Sequence, residues 1–182
     1  MTYNHEICQI RDKNISKMKT KKLILIIPAF FILIAALSSF KKYATESPYK
    51  CMIQMKNYSG EGAYIVISLL NEKGTYEKTL YVQGDDDEWY FDIPEWWKFH
   101  GKKRTNIDAI TGATISGGER KISVVSISDA TIDKGYKIRF ETAVEDQEYH
   151  ISDVEFDLTT ENLKSKIEGK GFIRYVRMMP NN

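Results

Sequence analysis

The chain has 182 residues, 42% hydrophobic and 28% charged, enough for one domain with a real core and too few for two ordinary ones. Eleven Gly and four Pro exclude collagen-like and low-complexity classes, and two cysteines, Cys8 and Cys51, exclude a disulfide scaffold or a thiolate zinc module. The net charge of +1 is uneven: residues 1–22 hold six Lys/Arg against two acids, while residues 43–182 hold 18 basic and 23 acidic residues, which gives no footprint for nucleic acid.

Residues 1–22 form a basic segment, and Leu23 to Phe40 reads LILIIPAFFILIAALSSF without a charge. As a helix this run reaches roughly 27 Å, close to the hydrocarbon thickness of a bilayer. The basic cluster before it outweighs Lys41 and Lys42 after it, so the amino end is expected in the cytoplasm and the body outside. Two readings stand for residues 23–40. One is an uncleaved transmembrane anchor; the other is a signal peptide starting at Met18 rather than Met1 and cleaved near Ala36-Leu37-Ser38. A soluble core helix is disfavoured because the run is apolar on every face. Under either reading Cys8 and Cys51 lie on opposite sides of the membrane and do not bridge.

Residues 41–50 are expected as a polar linker, and residues 51–182 as an extracytoplasmic domain. Within that domain the period is mostly two. Cys51–Asn57 and Ala63–Leu70 read as strands, the second apolar on both faces and therefore central. Asn71-Glu72-Lys73-Gly74 turns into Thr75–Gln83. Gly84–Glu88 reads as a loop, and Asp92-Ile93-Pro94-Glu95 as the start of a short helix ending near Phe99. Lys121–Ile127 resumes strand. Gly135–Val144 alternates most cleanly, with Tyr136, Ile138 and Phe140 on one face and Lys137, Arg139 and Glu141 on the other. Val154, Phe156 and Leu158 alternate with Asp153, Glu155 and Asp157. Thr160–Lys166 is expected as a helical turn and Gly171–Met178 as the last strand. About eight short strands separated by turns predict an all-β sandwich.

The segment Asp108-Ala109-Ile110-Thr111-Gly112-Ala113-Thr114 carries the most information. By residue type alone it is a surface turn, with Asp108 and Thr111 tied to the backbone. In order, however, it resembles the acceptor motif for covalent flavin, Asp-x-x-(Ser/Thr)-Gly-Ala-Thr. In flavin-carrying subunits of sodium-pumping and Rnf-type membrane reductases, the last Thr of that motif is esterified by FMN. A dedicated FAD:protein FMN transferase does this with magnesium. The resemblance implies Thr114 as acceptor, with Gly112 and Ala113 keeping the approach free of bulk and Asp108 and Thr111 holding the loop.

The rest of the domain does not look like those subunits. From about Cys51 to Met178 it is similar to domain-of-unknown-function family 2271, predicted periplasmic proteins. The similarity runs through Tyr64–Leu70, Lys78-Thr79-Leu80-Tyr81-Val82, Trp89, Trp96-Trp97, the Asp108–Thr114 segment, and Lys134-Gly135-Tyr136 leading to Phe140-Glu141. It implies an Ig-like sandwich associated with flavin transferases and PepSY-type membrane proteins. Family members often continue the motif with Arg-Pro, where this chain has Ile115-Ser116-Gly117-Gly118.

The remaining candidates are less specific. Trp89, Tyr90, Trp96, Trp97 and Phe99 suit either a flavin or sugar platform or a packed corner of the sandwich. Asp85–Glu88 lacks the spacing of an EF-hand loop and reads as a solvated loop. Gly60 and Gly62 read as turn glycines. His100 and His150 are isolated, so no metal ligand set is expected, and no residues for independent catalysis stand out. The leading expectation is a membrane-anchored, extracytoplasmic electron carrier bearing FMN on Thr114 and served by a membrane reductase. The alternative is an Ig-like protein- or ligand-binding module in which the Thr-Gly-Ala-Thr segment is only a turn.

Overall fold

A computed structural model describes residues 45–103 and 105–181. The expectations for segments 1–22 and 23–40, for Cys8 and for the starting methionine lie outside these residues. Among the described residues, no helix is long and apolar enough to cross a membrane.

Period-two alternation yields nine strands: β1 Glu46–Met55, β2 Tyr64–Leu70, β3 Tyr76–Gln83, β4 Thr111–Gly112, β5 Arg120–Ser128, β6 Lys137–Ala143, β7 His150–Asp157, β8 Lys166–Glu168 and β9 Ile173–Pro180. One sheet has the order β5-β1-β9-β8, the other β4-β3-β2-β6-β7. Their facing sides share a core in which Cys51 and Ile53 of β1 join Ile65 and Ile67 of β2, Phe140 of β6, Phe156 of β7 and Val176 of β9. The result is the expected all-β sandwich. Cys51 is fully enclosed, and burial pushes its thiol pKa up to about 12, so it behaves as a small apolar residue.

The second sheet is covered on both faces. Over its outer side lies a segment comprising a 3-10 turn, Asp87–Asp92, and the helix α1, Pro94–Lys103. Tyr90, Ile93, Trp96 and Ile107 from this region pack on Val66, Val82 and Ala143. That double cover explains why β2 is apolar at successive positions and sits between β3 and β6.

Several boundaries differ from the sequence expectation. β1 begins at Glu46, not after a linker ending at residue 50, because Glu46–Tyr49 pair with Ser128–Val125 of β5. Backbone pairing continues there although the side chains are polar and mostly exposed. Asp92 ends the 3-10 turn, and the first bond of α1 runs from the Trp97 N–H to the Ile93 carbonyl at 2.9 Å. The helix continues past Phe99 because His100, one turn on, stacks on Trp96 with ring centroids 4.7 Å apart. The short edge strand β8 was not expected; it pairs only with β9.

Two acids expected on the solvent side are buried. Glu141 lies beneath α1, where it accepts hydrogen bonds from the hydroxyls of Tyr76 at 2.6 Å and of Tyr149. Its pKa is raised because burial outweighs these bonds. Asp153 receives the Thr142 hydroxyl at 2.8 Å and the backbone N–H groups of Gly171 at 2.7 Å and Ile173 at 2.9 Å. It thereby pins the turn that leads into β9.

Candidate functional site

The Asp108–Thr114 segment crosses the edge of the second sheet and is fixed at both ends. Asn106 and Asp108 form a local turn, with the Asp108 N–H donating to Asn106 Oδ1 at 2.9 Å and Asn106 Nδ2 to Asp108 Oδ2 at 3.2 Å. The Thr111 hydroxyl donates to the Asp108 carbonyl at 3.2 Å. Thr111 and Gly112 then form β4, parallel to Val82 and Gln83 of β3. Four residues after Thr111, Ile115 is buried and bridges Ala63 through two backbone bonds of 2.8 and 3.1 Å. Tyr58 locks that bridge: its hydroxyl donates to the Ile115 carbonyl at 2.6 Å and accepts the Ala63 N–H at 2.8 Å. Ala113 and Thr114 fall between these two anchors.

Thr114 is half-buried, and its hydroxyl makes no hydrogen bond to a described residue. It lines an open cleft of about 200 Å³ together with Glu61, Gly62, Tyr64, Trp89, Asp92, Ala143 and Glu145. Gly62 is required for this placement. A Cβ there would lie 2.7 Å from the Thr114 Cβ and closer still to its Oγ1. Gly112 is less tightly constrained: a Cβ would come 2.8 Å from the Tyr81 hydroxyl, the outer end of a side chain that can shift. Ala113 is exposed.

Asp108 and Thr111 do not share the Thr114 cleft. They line a second one, of about 440 Å³, with Asp85, Asp87, Tyr90, Trp97, His100 and Asn106. Of the motif residues, Asp108 and Thr111 therefore face one cleft and Thr114 the other, with Gly112 and Ala113 between them. Gly62, Tyr64 and the acids Glu61, Asp92 and Glu145 were not singled out from sequence as neighbours of Thr114. The pair Gly60-x-Gly62 directly before a strand was the available signal.

The aromatic cluster divides by burial. Trp96 is fully buried and its indole donates to the Thr79 hydroxyl at 2.9 Å, so it belongs to the core. Tyr90 is buried too, with its hydroxyl on the Gly84 carbonyl at 3.0 Å. Burial, and then the nearby carboxylates led by Asp87, push that phenol up to about 12. Trp89 and Phe91 remain exposed at 39% and 57%. Burial lowers the His100 pKa, favouring the neutral ring. Asp86 accepts the Glu88 N–H at 3.1 Å and so caps the 3-10 turn. Among the described residues, no three His, Cys, Asp or Glu side chains are grouped to hold a metal.

These elements fall within a stretch that matches a family model. Residues 46–175, from the first residue of β1 into β9, match the family described as predicted periplasmic protein, DUF2271. The chain belongs to the DUF2271 family. No curated protein and no solved structure matches it. Membership gives this DUF2271 domain an extracytoplasmic setting, in keeping with the charge bias around Leu23–Phe40. The matched region includes both clefts and the whole of the segment between them. In this DUF2271 chain the residue after Thr114 is a core anchor. The turn beyond it is closed by Gly118 at φ 78° and by the Ser116 N–H on the Glu119 carboxylate at 3.1 Å.

Proposed function

We propose that this DUF2271 protein is a covalent-FMN electron carrier, flavinylated on Thr114 and held at the outer face of the membrane by residues 23–40. The observation that carries this reading is the state of Thr114. Its hydroxyl, without a partner among the described residues, lies at the rim of a cleft, between two backbone anchors, with Gly62 leaving it room. A residue serving only a turn would be expected to spend that hydroxyl on the backbone, as Thr111 does.

Loading is a phosphoryl transfer in the active site of a FAD:protein FMN transferase. The Thr114 oxygen attacks the FMN phosphorus of FAD, forming the Thr–O–P ester as the P–O–P anhydride breaks. AMP leaves, and the hydroxyl proton passes to a base of the transferase. The enzyme and its magnesium supply the electrostatics. This chain supplies position: the Asn106–Asp108 turn and the Thr111 bond fix one approach to the acceptor, and the Ile115–Ala63 bridge fixes the other. Exposed Ala113 and half-buried Gly112 add little bulk beside it.

Once attached, FMN supplies reversible uptake of up to two electrons with accompanying protons. We propose a PepSY-type membrane reductase as the donor. The Ig-like description of the sandwich belongs to the same reading and is supported by two sheets packed around one core. The test is co-expression with a flavin transferase. Yellow colour that persists through denaturation and is lost in Thr114→Val supports the carrier. Colourless wild-type protein, despite active transferase and export, favours the binding module. A reporter fused after Asn182 should be active only if it is of a type that works outside the cytoplasm.

A further inference from the structure

Resting on that reading, we infer that Trp89 and Tyr64 form the wall on which the ring system of the Thr114-linked flavin lies. They are the two aromatic residues of the cleft that Thr114 lines. Both are held by the fold rather than left to chance. Trp89 sits on the capped 3-10 turn, whose next residue, Tyr90, is anchored in the core on Trp96 with centroids 5.2 Å apart. Tyr90 points inward while Trp89 and Phe91 face out, their rings 6.3 Å apart. Tyr64 meets Tyr90 edge-on at 6.4 Å, and its ring occupies the space where a side chain on Gly84 would stand.

An indole left 39% exposed beside a cleft offers a polarisable face that water satisfies poorly and a flat heteroaromatic ring satisfies well. The charged walls decide which part of the flavin goes there. Glu61, Asp92 and Glu145 line the cleft, and among the described residues no Lys or Arg does. The phosphate, tethered at Thr114, is kept at the rim by these carboxylates, and the uncharged ring takes the aromatic wall. The Asp108 cleft also holds an indole, Trp97, but Thr114 does not line it.

The two clefts differ in which substitution restores flavin fluorescence, because an electron-rich indole or phenol in contact with the ring quenches it and a phenyl ring does not. The experiment compares transferase-loaded wild type, Trp89→Phe, Trp89→Phe with Tyr64→Phe, and Trp97→Phe, each checked for the adduct by intact mass. Wild type should be several-fold dimmer than free FMN at equal absorbance. At unchanged loading, Trp89→Phe should recover part of that loss and the double variant with Tyr64→Phe most of it, while Trp97→Phe should recover none. Loaded wild type as bright as free FMN overturns the inference, as does recovery in Trp97→Phe instead of Trp89→Phe. Absence of any adduct overturns the carrier reading itself and the platform with it.

Discussion

Gly62 and Thr114 occupy a space that holds only one side chain: a Cβ on Gly62 would stand 2.7 Å from the Thr114 Cβ. Gly62 is not among the glycines with positive φ, so alanine is conformationally acceptable there and the clash is purely steric. Gly62→Ala should cost about 1–3 kcal/mol of stability by overpacking. It should slow flavin loading on the order of 10- to 100-fold, because a displaced acceptor loses its alignment. Timed intact-mass measurements and urea unfolding check both. Loading at the wild-type rate would show that the contact does not position the acceptor.

The hydroxyls of Thr111 and Thr114 should separate cleanly. Thr111→Val removes a hydrogen bond to the Asp108 carbonyl and should cost about 1 kcal/mol, with loading slowed but not abolished. Asp108→Asn should likewise slow loading, through the altered bond with Asn106. Thr114→Val removes a hydroxyl with no partner among the described residues. Its stability should stay within about 0.5 kcal/mol of wild type while the adduct disappears. Equal stability losses and residual adduct in all three would reduce the segment to an ordinary turn.

On β6, Phe140→Ala should cost about 3–5 kcal/mol, since the ring is fully buried between the sheets. From alternation alone Arg139 is a dispensable surface residue. In the fold its guanidinium donates to Glu155 at 2.7 Å and lies 5.6 Å from the Tyr76 ring centroid, with only 17% of the side chain exposed. Arg139→Ala should therefore cost about 1–2 kcal/mol, reduced from a fully buried pair by partial screening. Chemical denaturation of the two variants settles the order.

Glu141 predicts a pH dependence. Its folded pKa is raised above the unfolded value, mainly by burial, so the folded state holds a proton that the unfolded state has released. Stability from this group is fully present below the ordinary glutamate range and is lost as pH rises through the folded pKa. Unfolding free energies across that window should fall with pH in wild type and flatten in Glu141→Gln. A slope unchanged by the substitution would assign it to another group.

The sandwich was legible because Ile138, Phe140, Val154 and Phe156 alternate with polar residues, and a half-buried strand needs nothing more. The outer cover of the second sheet was not legible. Glu141 reads as a solvent-facing acid until a helix from residues 94–103 is laid over it, and no local pattern encodes that docking. The first half of β1 is not legible for a related reason: Glu46–Lys50 are held by backbone pairing with β5, joined by β9 from Tyr49 on, which polar side chains do not reveal. At the site, the order Asp108-x-x-Thr111-Gly112-Ala113-Thr114 marked the acceptor segment. Its neighbours Gly62, Tyr64 and Trp89 arrive from distant parts of the chain. Spacing identified the loop, and only the fold identifies the cleft.

Whether FMN is attached at Thr114 is decided by one peptide. Trypsin releases residues 105–120, between Arg104 and Arg120, which contain Thr105, Thr111, Thr114 and Ser116 as their only hydroxyl residues. From protein exported alongside an active flavin transferase, that peptide should carry the mass of one FMN phosphoester. Fragmentation should localise it to Thr114. An unmodified peptide, or an FMN on Thr105, Thr111 or Ser116, would show that Thr114 is not the acceptor.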